Sequence, residues 1–163
     1  MYLEHFDRIV AALAPACAEV YGARLRALAL FGSVARGTQR PDSDIDVLLI
    51  VDRLPAGRDP RMTEFERVDA LLAPLLADAR AHGVHTDLSP VLKTPAELAA
   101  GSLLYLDMVD QARILVDDGG MLRRFLDDLG ARLAAAGARR VRKGSGYYWD
   151  LAPDYRWGDR IEL

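Results

Sequence analysis

A chain of 163 residues that is 51% hydrophobic and 28% charged can bury one substantial core, and it lacks the composition of a disordered or multidomain protein. A net charge of −3 argues against generic coating of nucleic acid, and no apolar run approaches the ~20 residues that span a bilayer. The single cysteine, Cys17, excludes an internal disulfide framework; its place in an apolar helical stripe marks it as a small core residue. The N-terminus carries Glu4 and Asp7 where a signal peptide would carry a basic start and an apolar block, so a cytoplasmic protein is expected.

Leu3, Phe6, Val10, Leu13, Cys17 and Val20 recur at helical spacing and predict an amphipathic helix ending near Gly22. Residues 26–31 read as a buried strand stopped by Gly32, which lets the chain turn sharply and a ligand approach the backbone. Residues 33–37 are expected to form a helical turn that Gly37 closes in a left-handed conformation. Residues 38–43 are turn chemistry, and residues 45–51 form a second strand. A loop over 53–60 precedes a long helix marked by Met62, Phe65, Val68, Leu72, Leu75, Leu76 and Ala79, which Pro74 should kink or split. Residues 84–92 have the look of a third strand, with His85, Asp87, Ser89 and Val91 on one face. Short helices over 95–101 and 103–109, a last strand at 114–116 and a final helix carrying Leu122, Phe125, Leu126, Leu129 and Leu133 complete the reading. The expected organisation is a core over 1–118, a helix packed on it over 119–138, and a basic and aromatic C-terminal arm over 139–163.

The chemistry concentrates between the first two strands. The Ser33 hydroxyl and the unpaired N–H groups of a turn at 33–37 make an anion site suited to phosphate oxygens. Asp44 and Asp46 are two residues apart, so on a strand their side chains share a face about 6.6 Å apart. Two carboxylates that close repel unless a cation neutralises them, and they suit Mg²⁺, which keeps waters and bridges to substrate phosphates. Asp87 is an acid inside an apolar run, where it needs a partner or a metal. If its strand lies beside the second one, Asp87 meets Asp44 and Asp46, where it can ligate an ion and accept a proton from an attacking hydroxyl.

Gly32-Ser33-Val34-Ala35-Arg36-Gly37 followed by Ser43-Asp44-Ile45-Asp46 resembles the signature of the DNA polymerase β-like nucleotidyltransferase superfamily, most closely its minimal nucleotidyltransferases of bacteria and archaea. The resemblance covers residues 3 to 117 approximately. It implies an α/β (α+β) nucleotidyltransferase fold, a mixed sheet flanked by helices. It also implies Mg²⁺-dependent transfer of a nucleoside monophosphate, AMP from ATP, to a hydroxyl with release of pyrophosphate, two Mg²⁺ ions being expected. Carried over by position, Gly32 and Ser33, with Ser43 and Arg36, match the nucleotide-binding residues, and Asp44, Asp46 and Asp87 match the catalytic metal ligands. Arg36 either contacts phosphate or pairs with a nearby acid.

Minimal nucleotidyltransferases are often paired with a helical HEPN toxin that they restrain by attaching AMP to a tyrosine. The resemblance therefore implies a protein acceptor and an antitoxin role in a toxin–antitoxin system. The alternatives are a nucleotide-binding, toxin-masking subunit without turnover, and an antibiotic-modifying enzyme acting as a homo-oligomer. Arg139, Arg140, Arg142 and Lys143 beside Tyr147, Tyr148 and Trp149 could stack on nucleic acid. The favoured expectation is an arm whose aromatics pack on its own domain or a partner, leaving nucleic acid at most an indirect partner. His5 and His82 are expected on solvated helix surfaces, and the three histidines are not expected to form a ligand set.

Overall fold

The computed structural model describes residues 1–144, 146–153, 156 and 157; Ser145, Asp154, Tyr155 and 158–163 of the expected arm lie outside the described residues. Leu25–Phe31 (β1) and Ile45–Val51 (β2) are buried along nearly their whole length, the pattern of strands covered on both faces. They pair antiparallel, with Phe31 opposite Asp46. Leu88–Lys93 (β3) joins β2 in parallel and Arg113–Asp117 (β4) joins β1 antiparallel. The result is a mixed sheet of order β3-β2-β1-β4 flanked by helices, as the motif implied.

Alternation along the strands sends side chains to two separate cores. Leu28, Leu30, Ile45, Val47 and Leu49 pack under Tyr2–Tyr21 (α1) and Arg58–Ala81 (α3), which contribute Phe6, Ile9, Leu13, Phe65, Val68 and Leu72. Cys17 is fully buried there, and burial pushes its thiol up to about 12, leaving it protonated and inert as a nucleophile. Ala27, Ala29, Leu48 and Ile50 face the opposite layer. It is built from Pro95–Ala100 (α4), a 3₁₀ turn at Leu103–Asp107, Met108–Gln111 (α5) and Met121–Ala135 (α6). Between β1 and β2 stands the single turn Gly32–Arg36 (α2). No helix among the described residues is long and apolar enough to cross a membrane.

Three local expectations need correction. Pro74 does not split α3, which runs as one helix; the proline is on the exposed side, where water can satisfy the freed carbonyl. Pro60, expected in the loop, belongs to the first turn of α3, where backbone N–H groups have no helical partner anyway. The third strand begins at Leu88, not at 84. Residues 84–87 are held by other bonds: His85 N–H donates to the Pro41 carbonyl at 2.8 Å and the Asp87 carbonyl accepts from Ile45 N–H at 2.9 Å.

The C-terminal segment forms a hairpin of Arg139–Lys143 (β5) and Gly146–Asp150 (β6). The Tyr147 hydroxyl and the Trp149 indole both donate to Asp107 Oδ1, at 3.0 and 3.1 Å. The Arg140 guanidinium lies over both rings, 4.6 and 5.1 Å from their centroids, a cation–π arrangement. Trp149 and Leu151 also pack on the α4–α6 core. These aromatics are engaged with their own domain, while Tyr148 stays exposed.

One ion pair ties α3 to the start of α4. Thr94 caps α4 by accepting from Glu97 N–H at 3.2 Å, and Glu97 returns the bond by accepting from Thr94 N–H at 2.9 Å, a capping box. Arg61 of α3 grips the same carboxylate through both terminal nitrogens at 2.8 and 2.9 Å, the bidentate geometry that strengthens such pairs. Arg61 and the Thr94 amide hold Glu97 down at about 2, below its ordinary 4.5. A carboxylate depressed in the folded state adds stability above its ordinary value and loses it as pH falls toward the folded value. Because Glu97 is partly solvated, Glu97→Gln should cost about 1 kcal/mol at neutral pH. Urea titration should show that gap closing as pH drops from 4.5 to about 2.

Candidate active site

The site sits where β1 ends and β2 and β3 begin. Asp46 belongs to the Leu48 and Ile50 face of β2 and is half-buried. Its carboxylate fills the space beside Gly32, where the backbone takes φ +68°. A Cβ on that residue would lie 3.1 Å from Asp46 Cγ and closer still to Oδ2. Glycine is thus required twice, by backbone conformation and by the carboxylate packed against it. From there α2 runs through Ser33 and Val34 to Gly37, which is left-handed at φ 70°, ψ 25°. Thr38 N–H donates to the Ser33 carbonyl at 2.9 Å. The expected helical turn is present, and its first amides leave from the residue that touches Asp46.

The polar run 38–43 folds into a tight turn. Arg40 N–H donates to Ser43 Oγ at 2.9 Å and Ser43 N–H to the Arg40 carbonyl at 3.0 Å. The Ser43 hydroxyl is therefore engaged in shaping the turn that delivers Asp44. Asp44 is exposed, and its Oδ1 accepts from Asp87 N–H at 3.3 Å. Asp87 consequently lies beside Asp44 at the entrance to the parallel β2–β3 pair. Its own carboxylate is turned to Arg80 of α3, 2.6 Å from Nη2. The oxygens of Asp44, Asp46 and Asp87 do not converge as a trio. Among the described residues, the one group of three metal-capable side chains with ligand atoms within 4.8 Å of each other is His5, Asp78 and His82. Arg36 is exposed and forms no described ion pair, yet its charge reaches Asp46.

Two further residues take part that sequence reasoning did not single out. Ser89 is opposite Asp46 in the parallel register and hydrogen-bonds its carboxylate. Asp69 of α3 is half-buried close enough to Asp87 for their charges to interact; burial, then Asp87 and Glu66, raise it above the ordinary carboxylate range. An acid between Phe65 and Leu72 on the core-facing stripe of α3 was the available signal. For Ser89 the signal was its place on the face of Asp87, while its pairing with Asp46 depends on the register between two strands.

Burial raises Asp46 above the ordinary carboxylate range and the Asp44 charge adds to this, while the Ser89 hydroxyl and Arg36 act against them. Negative charge here is undercompensated by the protein itself. The donors are hard oxygens on one corner, the setting Mg²⁺ uses when it binds one or two carboxylates and completes its shell with water and phosphate. Beside Ser89 opens a cavity of about 540 Å³ lined by Pro90, Leu92 and Lys93 of the edge strand and by Arg58 and Arg61 of α3.

The sequence model of the family described as nucleotidyltransferase domain matches residues 13–106, which run from within α1 into the 3₁₀ turn and contain every candidate site residue. The chain belongs to the nucleotidyltransferase domain family. It is 29% identical over 113 residues to the "Putative protein adenylyltransferase MJ1305" of Methanocaldococcus jannaschii, covering 68% of this chain and 71% of that protein. Solved structures resemble it more distantly. A toxin–antitoxin crystal structure with AMP-PNP aligns over 80% of this chain and 91% of that one, at 18% identity and TM-score 0.46. A chain in the solved complex of a tri-AMPylated Shewanella oneidensis HEPN toxin with MNT antitoxin aligns over 83% of this chain and 91% of that one, at 16% identity and TM-score 0.42.

Two measurements check this geometry in the nucleotidyltransferase. Gly32→Ala forces a positive φ on alanine and pushes on Asp46, so chemical denaturation should show a loss of roughly 1–3 kcal/mol. Asp46 has a raised folded value, so its ionised form opposes folding, and the penalty disappears as pH falls through that value. With divalent cations chelated, Asp46→Asn should therefore melt higher than the parent protein at neutral pH. The difference should shrink on acidification, as followed by thermal denaturation across pH.

Proposed function

We propose that this nucleotidyltransferase moves AMP from ATP to a hydroxyl of a protein acceptor, with Asp44, Asp46 and Asp87 as its acidic centre. The observation that carries the reading is the packing of Asp46 on Gly32, which joins the acidic pair to the N-terminal amides of α2. Ser33 and those amides bind triphosphate oxygens, and Arg36 supplies positive charge at the exposed end of the turn. Asp44 and Asp46 would hold Mg²⁺, which when bound would offset the charge developing on the phosphates. The acceptor oxygen bonds to the α-phosphorus, the bond to the β-phosphate oxygen breaks, and pyrophosphate leaves. Asp87 takes the hydroxyl proton, a role that requires its carboxylate to leave Arg80 and turn toward Asp44. Ser89 orients Asp46 throughout, and the cavity beside it receives the nucleoside end of ATP.

A protein acceptor is supported by the name of the Methanocaldococcus relative. The motif's likeness to minimal nucleotidyltransferases extends the proposal to an antitoxin that adenylylates a HEPN-type partner in the cytoplasm. The Arg80–Asp87 pair favours a second reading, a nucleotide-binding subunit that masks its partner without turnover, because that pair leaves the third acid occupied.

The test uses ATP labelled on the α-phosphate, Mg²⁺ and the protein with its co-purifying partner. Label transferred to the partner, a mass gain of one AMP, and loss of more than about 100-fold in rate with Asp46→Asn support the enzyme. ATP binding without pyrophosphate release, unchanged by that substitution, supports the masking subunit and overturns the transferase.

A further inference from the structure

Away from the acidic centre, His5, Asp78 and His82 come together at one end of the α1–α3 layer. His5 belongs to the first turns of α1, Asp78 to the last turn of α3, and His82 caps α3. The sequence places both histidines on solvated surfaces; packing of the two helices instead stacks their rings, with centroids 5.0 Å apart and planes at 30°. One ligand atom from each of the three residues lies within 4.8 Å of the other two. His5 Nδ1 is 3.5 Å from Asp78 Oδ2. The His5 side chain is only 15% exposed, whereas His82 is 61% exposed, so the group is anchored on its protein side and open to solvent on the other.

We propose that this trio is a binding site for a divalent transition metal of the zinc class, separate from the Mg²⁺ centre and independent of the proposed activity. Two imidazoles and one carboxylate with an open fourth position form a donor set that zinc accepts; imidazole nitrogen selects against Mg²⁺ and Ca²⁺. The surroundings already set one tautomer. His82 Nδ1 is 2.8 Å from the Asp78 carbonyl, so it carries the proton there and leaves Nε2 with the lone pair, the arrangement in which a ligating histidine donates its other N–H to a backbone carbonyl. Ligands on a tetrahedral zinc lie roughly 3.3 Å apart, so binding draws the three side chains inward by rotamer adjustment. Arg8 competes, donating to Asp78 Oδ2 at 2.7 Å. That pair is exposed and therefore weak, and its guanidinium can swing into solvent when a metal takes the carboxylate. A bound ion would pin the start of α1 to the end of α3, two residues from the Arg80 that holds Asp87.

Full-length protein stripped of metal by chelator is titrated with Zn²⁺ by calorimetry and with Co²⁺ by visible absorption. One ion per chain with micromolar or tighter affinity is expected, together with the intense d–d band of tetrahedral cobalt. His82→Gln alters an exposed side chain and is expected to fold normally by circular dichroism; it and His5→Gln should each weaken binding at least about tenfold. Arg8→Gln should strengthen binding by removing the competing cation, an effect that a purely structural ion-pair cluster would not produce. An Asp44→Asn, Asp46→Asn double variant should bind Zn²⁺ as the parent does. The proposal is overturned by the absence of saturable binding, or by binding that survives His82→Gln and His5→Gln but is lost in the double variant.

Discussion

The contact between Gly32 and the Asp46 carboxylate is the constraint on which the site depends. It exists because β1 and β2 pair antiparallel with Phe31 opposite Asp46, so the residue after β1 meets the face of β2 that carries the acid. Only a residue without Cβ leaves room for that carboxylate and tolerates φ +68°. The same glycine starts α2, so the N-terminal amides of that turn and the acid are registered through one backbone position. An error of one residue in the β1–β2 pairing would send Asp46 into the α1–α3 core and leave α2 facing an apolar side chain.

Charge is distributed unevenly around this point. Arg61 and Glu97 pair with well-formed geometry at the edge of the sheet, and Arg24 pairs with Glu64 at 2.9 Å near the other end of β1. At the centre, Asp46 and Asp44 face each other's charge without a described ion pair, and burial adds to the cost. Glu97 and Glu64 are neutralised by arginine, whereas Asp46 is opposed by burial and by the Asp44 charge and is eased only by Ser89 and Arg36. Asp87 stands between the two conditions, with its backbone beside Asp44 and its carboxylate on Arg80. A family of enzymes acting on polyanionic substrates with hard cations needs such an imbalance, since a fully neutralised site would have no affinity to spare for the ion.

Much of this was legible in particular residues. The stripe Phe6, Val10, Leu13, Cys17 announced α1, the apolar run 45–51 matched β2 residue for residue, and Gly37 was left-handed as its place after a short turn required. Prolines misled, because their effect depends on which side of a helix they occupy: Pro74 faces solvent and Pro60 falls in a first turn. The strand around Asp87 looked longer than it is because Val84 and Thr86 are buried without being hydrogen-bonded into the sheet. Ser89 was placed on the Asp87 face by the strand pattern, but its pairing with Asp46 was decided by the register of β3 on β2.

By itself, then, the order of residues determined the short glycine-bounded turn, the pair of acids on the second strand and the helix–strand succession, since these follow from steric and hydrogen-bonding rules acting over a few neighbouring residues. Only the tertiary structure decided that Asp46 rests on Gly32, that Ser89 supports it, that Asp87 is held by Arg80, and that His5 stacks on His82. Each of those contacts joins groups on different elements, seven residues apart for Arg80 and Asp87 and more for the others, and the choice of partner is made by the packing of whole elements.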